Sequence, residues 1–432
     1  MKLLVLAACL AVSTLACAGA RTVGPPVAPP LPAPATPHPP GGAAQARFDA
    51  ALTAFVRHDE LNDWSPAACA AVAAMFDDAA TANGGSFVQA TFDAGLALQR
   101  CKDDANARLR FQKAAKEDPS FDPALARLAL ERFKETADVG ATIAALQHAV
   151  EQGQFKNTAA LVDLAAMQMA RDGASAAPGC KDDMECAKLN LQRALAIDDT
   201  YMPASNQLAL YYLQGARKRA RAGGKRADVQ QLELAALVCS QAIAKNASYA
   251  AIHNTEGLIM IELGQVNGAV AAFAAAAKLD PRSFEAQMNL AAVNLSFRGF
   301  EQAQRAYARA LELRPNDYDA HLGLAIAMRG PLTGTESDYP RRVAAVTSEI
   351  EAAKKSNPER PDAYFNEGIV TQELEARAGS SAAQTLAALD RAQASFERFL
   401  DKAKGKSAYD GAVARARERL QDIDASRKFL SP

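Results

Sequence analysis

The side chains best suited to chemistry in this sequence are cysteines and histidines, which can form disulfides, bind metals or transfer protons. The seven cysteines are Cys9, Cys17, Cys69, Cys101, Cys180, Cys186 and Cys239, and the five histidines are His38, His58, His148, His253 and His321. The histidines are scattered along the chain, and no two share a helical stretch at metal-ligand spacing. The sequence therefore predicts no metal site and no cofactor.

Motifs of common enzyme classes are absent. The chain contains no G-x-S-x-G, H-E-x-x-H, G-x-x-x-x-G-K-[ST] or G-x-G-x-x-G pattern, and Gly223-Gly224-Lys225 is followed by neither Ser nor Thr. We therefore expect a protein that is not an enzyme and has no small-molecule substrate. Catalytic residues that converge from distant parts of a chain escape such a search, so a cell-wall enzyme stays an alternative.

The composition indicates the elements that position these side chains. The 432 residues include 99 alanines against 27 aromatic residues, which favours closely packed helices over a β-sandwich or barrel. A chain of this length forms two or three domains or an array of repeats. The 48 basic and 49 acidic residues nearly cancel, so no overall field indicates nucleic-acid binding.

Residues 1–16 predict export. A single Lys precedes an apolar stretch that ends in small residues, as in a secretory signal. Thr14-Leu15-Ala16-Cys17 resembles the lipobox of bacterial lipoproteins, which implies lipidation at Cys17, and Ala18 then implies the outer membrane. Leu6-Ala7-Ala8-Cys9 also fits the motif, but with an apolar core too short for a signal. Plain secretion is the other alternative, and no other stretch is long and apolar enough to span a membrane.

A proline-rich segment follows the signal. Residues 24–42 hold nine prolines in nineteen positions, which excludes helix and sheet. We interpret residues 17–44 as an extended polyproline tether of about 3.1 Å per residue. A disordered tail without a spacing role fits the composition equally well.

Beyond residue 45 the sequence repeats with a period of 34. Small residues and aromatic or apolar residues recur in register, and a proline closes each unit. The columns are Ala235, Ala269 and Ala303; Cys239, Phe273 and Tyr307; Ala242, Ala276 and Ala310; and Pro281 and Pro315. Small residues allow helices to approach closely, one larger side chain fills the space between them, and proline ends the helix.

These columns, together with Gly257 and Gly264, resemble the tetratricopeptide (TPR) repeat. The resemblance implies an all-α, right-handed TPR superhelix, an α-solenoid of about seven to nine helix pairs with loop insertions, over residues 45–404. Residues 405–432 are predicted to form a C-terminal capping helix. Segments 172–184, 215–227 and 329–340, rich in Gly, Pro and charge, are predicted to be enlarged loops within repeats.

The solenoid suggests how the cysteines of an exported protein pair. Cys69 falls on the second helix of one pair and Cys101 near the end of the next first helix, positions that adjoin in a solenoid. Cys180 and Cys186 flank five residues and would close a small loop. Metal binding is the competing interpretation, but neither pair has a neighbouring His or a second Cys pair. Cys239 lies in the apolar column, and we expect a buried free thiol.

Two polar features suggest binding. The densest charge cluster comprises Arg217, Lys218, Arg219, Arg221, Lys225 and Arg226, either a solvated loop or a contact for anionic lipid or an acidic partner. Polar residues also recur on or beside the first helices that would line a partner-binding groove: His253, Asn254, Asn289, Asn294, His321, Tyr364 and Asn366. The asparagines either join helices or bind a peptide backbone.

Taken together, the sequence resembles an envelope-anchored TPR lipoprotein of a Gram-negative bacterium, and in particular the TPR lipoproteins of the adventurous gliding-motility complex. The resemblance implies a non-catalytic protein–protein interaction scaffold, anchored by lipid to the periplasmic face of the outer membrane. Its partners would be other envelope proteins of a trans-envelope machine. The alternative is a pilotin-like assembly factor for an outer-membrane channel or secretion system.

Overall fold

The computed structural model describes residues 40–61, 63–175, 179–221, 228–376 and 381–430. Within these ranges the regular structure is helical, and the one β-type pairing is an isolated bridge between Ala174 and Asp182. The predicted all-α fold is therefore confirmed. Contacts divide the described residues into two compact units, an N-terminal unit ending at Asn246 and a C-terminal unit starting at Ala247.

The N-terminal unit consists of five successive pairs of antiparallel helices. They are α1 (Gly42–Leu61) and α2 (Pro66–Ala82); α3 (Val88–Arg100) and α4 (Asp104–Glu117); α5 (Asp122–Thr136) and α6 (Val139–Gln152); α7 (Thr158–Arg171) and α8 (Asp183–Ile197); and α9 (Met202–Arg221) and α10 (Val229–Lys245).

The C-terminal unit contains four pairs and a last helix. They are α11 (Ala250–Glu262) and α12 (Val266–Leu279); α13 (Phe284–Ser296) and α14 (Phe300–Leu313); α15 (Tyr318–Arg329) and α16 (Tyr339–Ser356); α17 (Asp362–Val370) and α18 (Ala382–Ala403); and α19 (Asp410–Leu430). A π-helical segment, Thr371–Glu375, continues α17, and a 3-10 turn, Ser407–Tyr409, precedes α19. The starts of α11, α13 and α15 are equally spaced along the chain, and their interval equals the period of the sequence columns.

Short polar side chains fix where many helices begin. Asp103, Asn157 and Asp317 each accept a hydrogen bond from the backbone N–H three residues later, as do Ser283 and Ser381 in other helices. Such caps satisfy N–H groups that have no partner within the helix. The chain therefore specifies its helix starts locally, before any helix packs on another.

The turn inside a pair uses a left-handed backbone residue at a fixed place. Gly264, between α11 and α12, has φ of +74°. The corresponding residues Lys102 and Arg298 adopt φ of 62° and 61° although they carry side chains. Glycine enters this region without steric cost, whereas other residues are uncommon there. The position is thus defined by the geometry of the turn, and glycine marks it only in one of these three pairs.

Several pairs close around one aromatic ring that packs on a glycine. A methyl group placed on Gly257 would lie 2.5 Å from the ring of Phe273, and the same is true of Gly95 and Phe111. The repeated alanines of the second helices are all buried: Ala235, Ala242, Ala269, Ala276, Ala303 and Ala310. Tyr307 fills the equivalent place in the next pair. Close approach at a small residue and filling by one ring therefore determine the spacing of the pairs.

One predicted loop is wrong in part. Residues 215–221 continue α9 as helix, whereas we expected residues 215–227 to form an enlarged loop. The segment holds Ala216, Ala220 and several long unbranched basic residues, all of which are good helix formers. The predicted interruptions at 172–184 and 329–340 contain the connections between α7 and α8 and between α15 and α16.

The N-terminal unit contains two disulfides. Cys69 on α2 is bonded to Cys101 at the end of α3, with Cα atoms 6.3 Å apart, and Cys180 is bonded to Cys186, with Cα atoms 5.2 Å apart. The first bond joins two neighbouring pairs, and the second closes the insertion before α8. Cys239 takes part in neither bond and is buried on α10.

Candidate functional site

The first helices of successive pairs form a layer of their own. Within the N-terminal unit α5 contacts α7 and α7 contacts α9, and within the C-terminal unit α13 contacts α15 and α15 contacts α17. Each second helix packs mainly on the two first helices beside it in sequence. The side chains that project from the first helices therefore share one face in each unit. We call these surfaces the N-terminal face and the C-terminal face.

Polar side chains join the first helices to one another. In the N-terminal unit Gln99 on α3 donates to Glu131 on α5 at 2.9 Å, and Gln214 on α9 donates to the carbonyl oxygen of Met169 on α7 at 2.9 Å. In the C-terminal unit Asn289 on α13 donates to Asn254 on α11, also at 2.9 Å. These bonds fix the register between neighbouring first helices, because amide groups bond only over a narrow range of geometry.

The ring side chains predicted to line the groove are bound to the loop before their own helix. Nε2 of His253 lies 2.9 Å from the carbonyl oxygen of Ala247, and Nε2 of His321 lies 2.9 Å from that of Pro315. The hydroxyl of Tyr364 donates to Pro358 at 3.1 Å. In all three cases the acceptor lies six residues earlier. The three residues thus make the same contact, from a ring side chain to the carbonyl oxygen six residues earlier. His321 has a second partner, because its Nδ1 lies 2.6 Å from the carboxylate of Glu349.

The predicted asparagines also have partners within the chain. Besides the bond between Asn289 and Asn254, Asn294 and Asn366 each donate to the carbonyl oxygen four residues earlier, at 2.8 and 2.9 Å. The Oδ1 of Asn366 accepts from Arg329 at 3.4 Å. All seven predicted groove residues lie on first helices, but the structure brings together only Asn254 with Asn289 by a hydrogen bond of their own.

Sequence reasoning missed the charged side chains of the C-terminal face. These are Arg329 on α15, Glu373 in the π-helical segment that continues α17, and Arg419 on α19, and Arg419 forms an ion pair with Glu373 at 2.5 Å. Burial lowers the pKa of Arg329, attraction by Glu373 opposes this shift, and repulsion by Arg419 adds to it. Two guanidinium groups therefore share one carboxylate, which leaves this row with an excess positive charge.

The N-terminal face carries the opposite excess. Asp93 on α3, Arg127 on α5 and Asp163 on α7 occupy equivalent places on successive first helices. Asp93 is 8% exposed, and burial raises its pKa to about 6 against hydrogen bonds from Gln89 at 3.1 and 3.0 Å. Burial also raises the pKa of Asp163, which Arg127 opposes from 4.0 Å. Here two carboxylates are accompanied by one guanidinium. The nearly equal spacing of the three positions was the signal available in the sequence.

The predicted basic cluster is largely neutralised where the structure describes it. Lys218 pairs with Asp172 at 2.8 Å, and Arg219 pairs with Asp228. Both acids come from chain segments next to α9. Lys225 and Arg226 lie outside the described residues, as do Cys9, Cys17, His38 and the predicted signal.

A cavity of about 600 Å³ lies at the end of the C-terminal unit. It opens between the π-helical segment, α18 and α19, and it is lined by Gln372, Glu373, Ala376, Thr385, Leu389, Arg419, Ala425, Ser426, Phe429 and Leu430. The Oε1 atom of Gln372 is buried without a hydrogen-bond partner. Among the described residues no group of three or more His, Cys, Asp and Glu side chains could hold a metal. No helix in the described ranges is long and apolar enough to cross a membrane.

No protein-family model matches the sequence, and no curated protein matches it. The chain is similar to several solved structures. One is the TPR protein TTC0263 of Thermus thermophilus, with 25% identity and a TM-score of 0.40 over 48% of this chain and 98% of that chain. Another is a TPR protein of Parabacteroides merdae, with 15% identity and a TM-score of 0.39 over 71% of this chain and 99% of that chain. A third is PilF of Pseudomonas aeruginosa, with 17% identity and a TM-score of 0.43 over 63% of this chain and 99% of that chain.

The geometry within the chain defines the fold class. Helix pairs that recur with the period of the sequence columns, a glycine against one ring, and a layer of first helices are the features of TPR repeats. The predicted fold class is therefore confirmed, with nine helix pairs and a further helix in the described ranges.

Proposed function

We propose that this protein is a non-catalytic scaffold for protein–protein interaction, and that its two first-helix faces bind segments of partner proteins. One observation carries the proposal: each face presents a row of part-buried charges that the chain itself does not balance. Charges that are removed from water without a full complement of partners cost folding free energy. A partner that supplies the opposite charge recovers part of that cost on binding.

The two faces favour different partners. The N-terminal face, with Asp93 and Asp163 around Arg127, fits a segment that contributes a lysine or an arginine. The C-terminal face, with Arg329 and Arg419 around Glu373, fits a segment that contributes a carboxylate. Electrostatic complementarity of this kind selects partners and speeds association more than it adds affinity. The protein would thus join two partners of opposite charge.

We further propose that the scaffold works in the bacterial envelope. The sequence-based expectations of export, lipidation at Cys17 and a proline-rich tether support an anchor on the periplasmic face of the outer membrane. A tethered scaffold with two binding faces suits a trans-envelope machine such as a gliding-motility complex. The two disulfides also suit an oxidising compartment.

Affinity capture from native envelopes tests the scaffold. The full-length protein is expected to retain partners in fixed stoichiometry with the assembled complex. Arg329→Gln should release the partner of the C-terminal face, and Asp163→Asn the partner of the N-terminal face. Arg398→Gln removes an exposed charge from α18 and serves as the matched control. Transient capture of a channel subunit before assembly would instead support a pilotin-like factor, and capture unchanged by either face variant would contradict the assignment of the faces.

Fractionation tests the anchor. Cys17→Ser should move the protein from the outer-membrane fraction to the soluble periplasmic fraction, because it removes the acylated thiol. Cys9→Ser is the control and should leave the distribution unchanged. Continued membrane association of Cys17→Ser, with release by Cys9→Ser, would place the lipid at Cys9. Membrane association of the double variant would contradict lipid anchoring.

A further inference from the structure

One face of the last helix, α19, is exposed, and its residues are arranged symmetrically about Ala425. Gln421, Asp422, Ala425, Lys428 and Phe429 recur at helical spacing and are all exposed. The side chain of Phe429 is 89% exposed, the largest value among the exposed large apolar residues of the described chain. An aromatic ring in that position loses the free energy that burial would provide. This face of α19 therefore has the composition of a contact surface at its C-terminal end.

Helix α19 has no covering helix in the described residues. Elsewhere in both units each first helix is followed by a second helix that packs on it, whereas no helix follows α19 within the described residues. Two arginines of α19 are engaged by acids of neighbouring elements: Arg419 pairs with Glu373, and Arg427 pairs with Asp390. Asp422 and Lys428 make no ion pair with any described residue. Two opposite charges thus remain available on the exposed face.

Ala425 is the centre of this pattern. Asp422 lies three residues before it and Lys428 three residues after it, while Gln421 and Phe429 lie four residues on either side. When two copies of the helix cross antiparallel at Ala425, Asp422 of each copy faces Lys428 of the other. Phe429 of each copy then faces Gln421. A small residue at the crossing point allows the close approach that such packing needs.

The cavity at the end of the C-terminal unit adjoins the same face. Ala425 and Phe429 belong to its lining, together with Ala376, Leu389 and Leu430. Its volume of about 600 Å³ leaves room for an aromatic side chain. In the antiparallel arrangement Phe429 of the second copy faces Gln421, about one helical turn from Ala425 at the edge of this cavity. The exposed ring and the edge of the cavity are therefore parts of one patch.

We propose that α19 mediates a two-fold symmetric dimer of this chain, with Ala425 on the axis and two symmetric ion pairs between Asp422 and Lys428. A two-fold interface must be self-complementary, because the same patch occurs on both copies. This face meets that condition in charge, because Asp422 and Lys428 lie at equal distances on either side of Ala425. A parallel pairing about the same residue is disfavoured because it would oppose like charges. The dimer goes beyond the proposed scaffold function and does not depend on it, since its ion pairs use Asp422 and Lys428, which belong to neither charge row.

Charge reversal tests the dimer. Sedimentation velocity of the full-length protein over a concentration series should show a monomer–dimer equilibrium. Asp422→Lys should weaken the dimer about tenfold or more, because it places two like-charged pairs across the axis. The double variant Asp422→Lys/Lys428→Asp restores both ion pairs and should restore the wild-type dissociation constant. Asp401→Lys, an exposed acid of α18, is the matched control and should have no effect.

A second measurement is independent of charge. Ala425→Cys should form a disulfide-linked dimer on mild oxidation, whereas Ala394→Cys, which exposes a thiol on α18, should not. Phe429→Ser should weaken the dimer without altering the helix content. A protein that is monomeric at every concentration contradicts the proposal. So does a dimer that Asp422→Lys and Phe429→Ser leave intact, because such a dimer would use another surface.

Discussion

The N-terminal and C-terminal units are built from the same helix pair but present opposite charges. Phe111 in one unit and Phe273 in the other pack on a glycine in the same way. Yet the N-terminal face has two carboxylates around one guanidinium, and the C-terminal face has two guanidiniums around one carboxylate. The second helices and the turns thus set the architecture, while the first helices vary in what they present.

The units also differ in how their pairs are held together. Both disulfides of the described residues lie in the N-terminal unit. There Arg100, next to Cys101, also donates two hydrogen bonds to Asp59 on α1, each at 2.8 Å. In the C-terminal unit the repeat columns are most regular, and the helix pairs are joined by side-chain packing and by hydrogen bonds. Covalent links are therefore found in the unit whose repeat columns are less regular.

Removal of the central ring should have the largest effect, and the same effect in both units. Phe111→Ala and Phe273→Ala each leave a cavity against a glycine that cannot fill it, and each should lower the free energy of unfolding of its unit by about 3–5 kcal/mol. Urea unfolding measures the loss of stability, and hydrogen exchange shows which unit opens more readily. The controls are the exposed residues Leu109 and Phe297, whose alanine variants should change stability little. Clearly unequal losses would show that the two units do not share one packing rule.

Loss of the interpair disulfide should affect one unit only. The double variant Cys69→Ser/Cys101→Ser opens a loop with a sequence separation of 32 and should cost about 4 kcal/mol in the chain-entropy model. Cys180→Ser/Cys186→Ser opens a separation of 6 and should cost about 2 kcal/mol. Hydrogen exchange should report faster opening of α1–α4 in the first variant. Faster exchange in the C-terminal unit would contradict an effect confined to the N-terminal unit.

The sequence predicted the fold from features that act locally. The columns of Ala269, Phe273 and Ala276 recur at one period because each repeat packs only on its neighbours, so the periodicity is visible without knowledge of distant contacts. Gly264 marked a turn that Arg298 forms as well, and only the structure shows that the two positions share a backbone conformation. The extension of α9 to Arg221 was not predicted, because the run of basic residues that indicated a loop consists of good helix formers.

The candidate site was less predictable. The sequence predicted His253, His321 and Tyr364 as groove residues because they are polar and lie on first helices. Each is bound to a loop carbonyl whose position depends on how the preceding helix ends. Arg329 and Glu373 belong to different repeats, and their relation depends on the packing of α15 on α17. A sequence pattern reports which face a residue occupies. It does not report whether another part of the chain satisfies that residue's charge.

The buried carboxyl of the N-terminal face should make that unit sensitive to pH. The pKa of Asp93 is raised from 3.8 to about 6 in the folded protein, so the folded state binds the proton more tightly than the unfolded state. The stability of the unit should therefore fall as pH rises from about 4 to about 6. Asp93→Asn should raise the free energy of unfolding by about 1–3 kcal/mol at pH 7.5 and by much less at pH 4.

Urea unfolding of both proteins at the two pH values measures this difference. Gln89→Leu is the companion variant, because it removes the donor to Asp93 and should enlarge the pH dependence instead of abolishing it. An Asp93→Asn variant with unchanged stability at pH 7.5 would show that the carboxyl is better solvated than the structure indicates.

The smallest expected effects test the charge rows themselves. Arg329→Gln and Asp163→Asn each remove the surplus charge of one face. Burial disfavours that charge in the folded state, because it lowers the pKa of Arg329 and raises the pKa of Asp163. Each variant should therefore be as stable as the wild type or more stable by less than about 1 kcal/mol. Neutralisation of the middle charge, by Arg127→Gln or Glu373→Gln, should instead destabilise its unit. Asp163 then loses the opposing charge of Arg127, and Arg329 and Arg419 lose that of Glu373. Urea unfolding of the four variants distinguishes these outcomes. If, in either unit, the surplus-charge variant is less stable than the middle-charge variant, the row is a structural ion-pair network and not a surface with charge left for a partner.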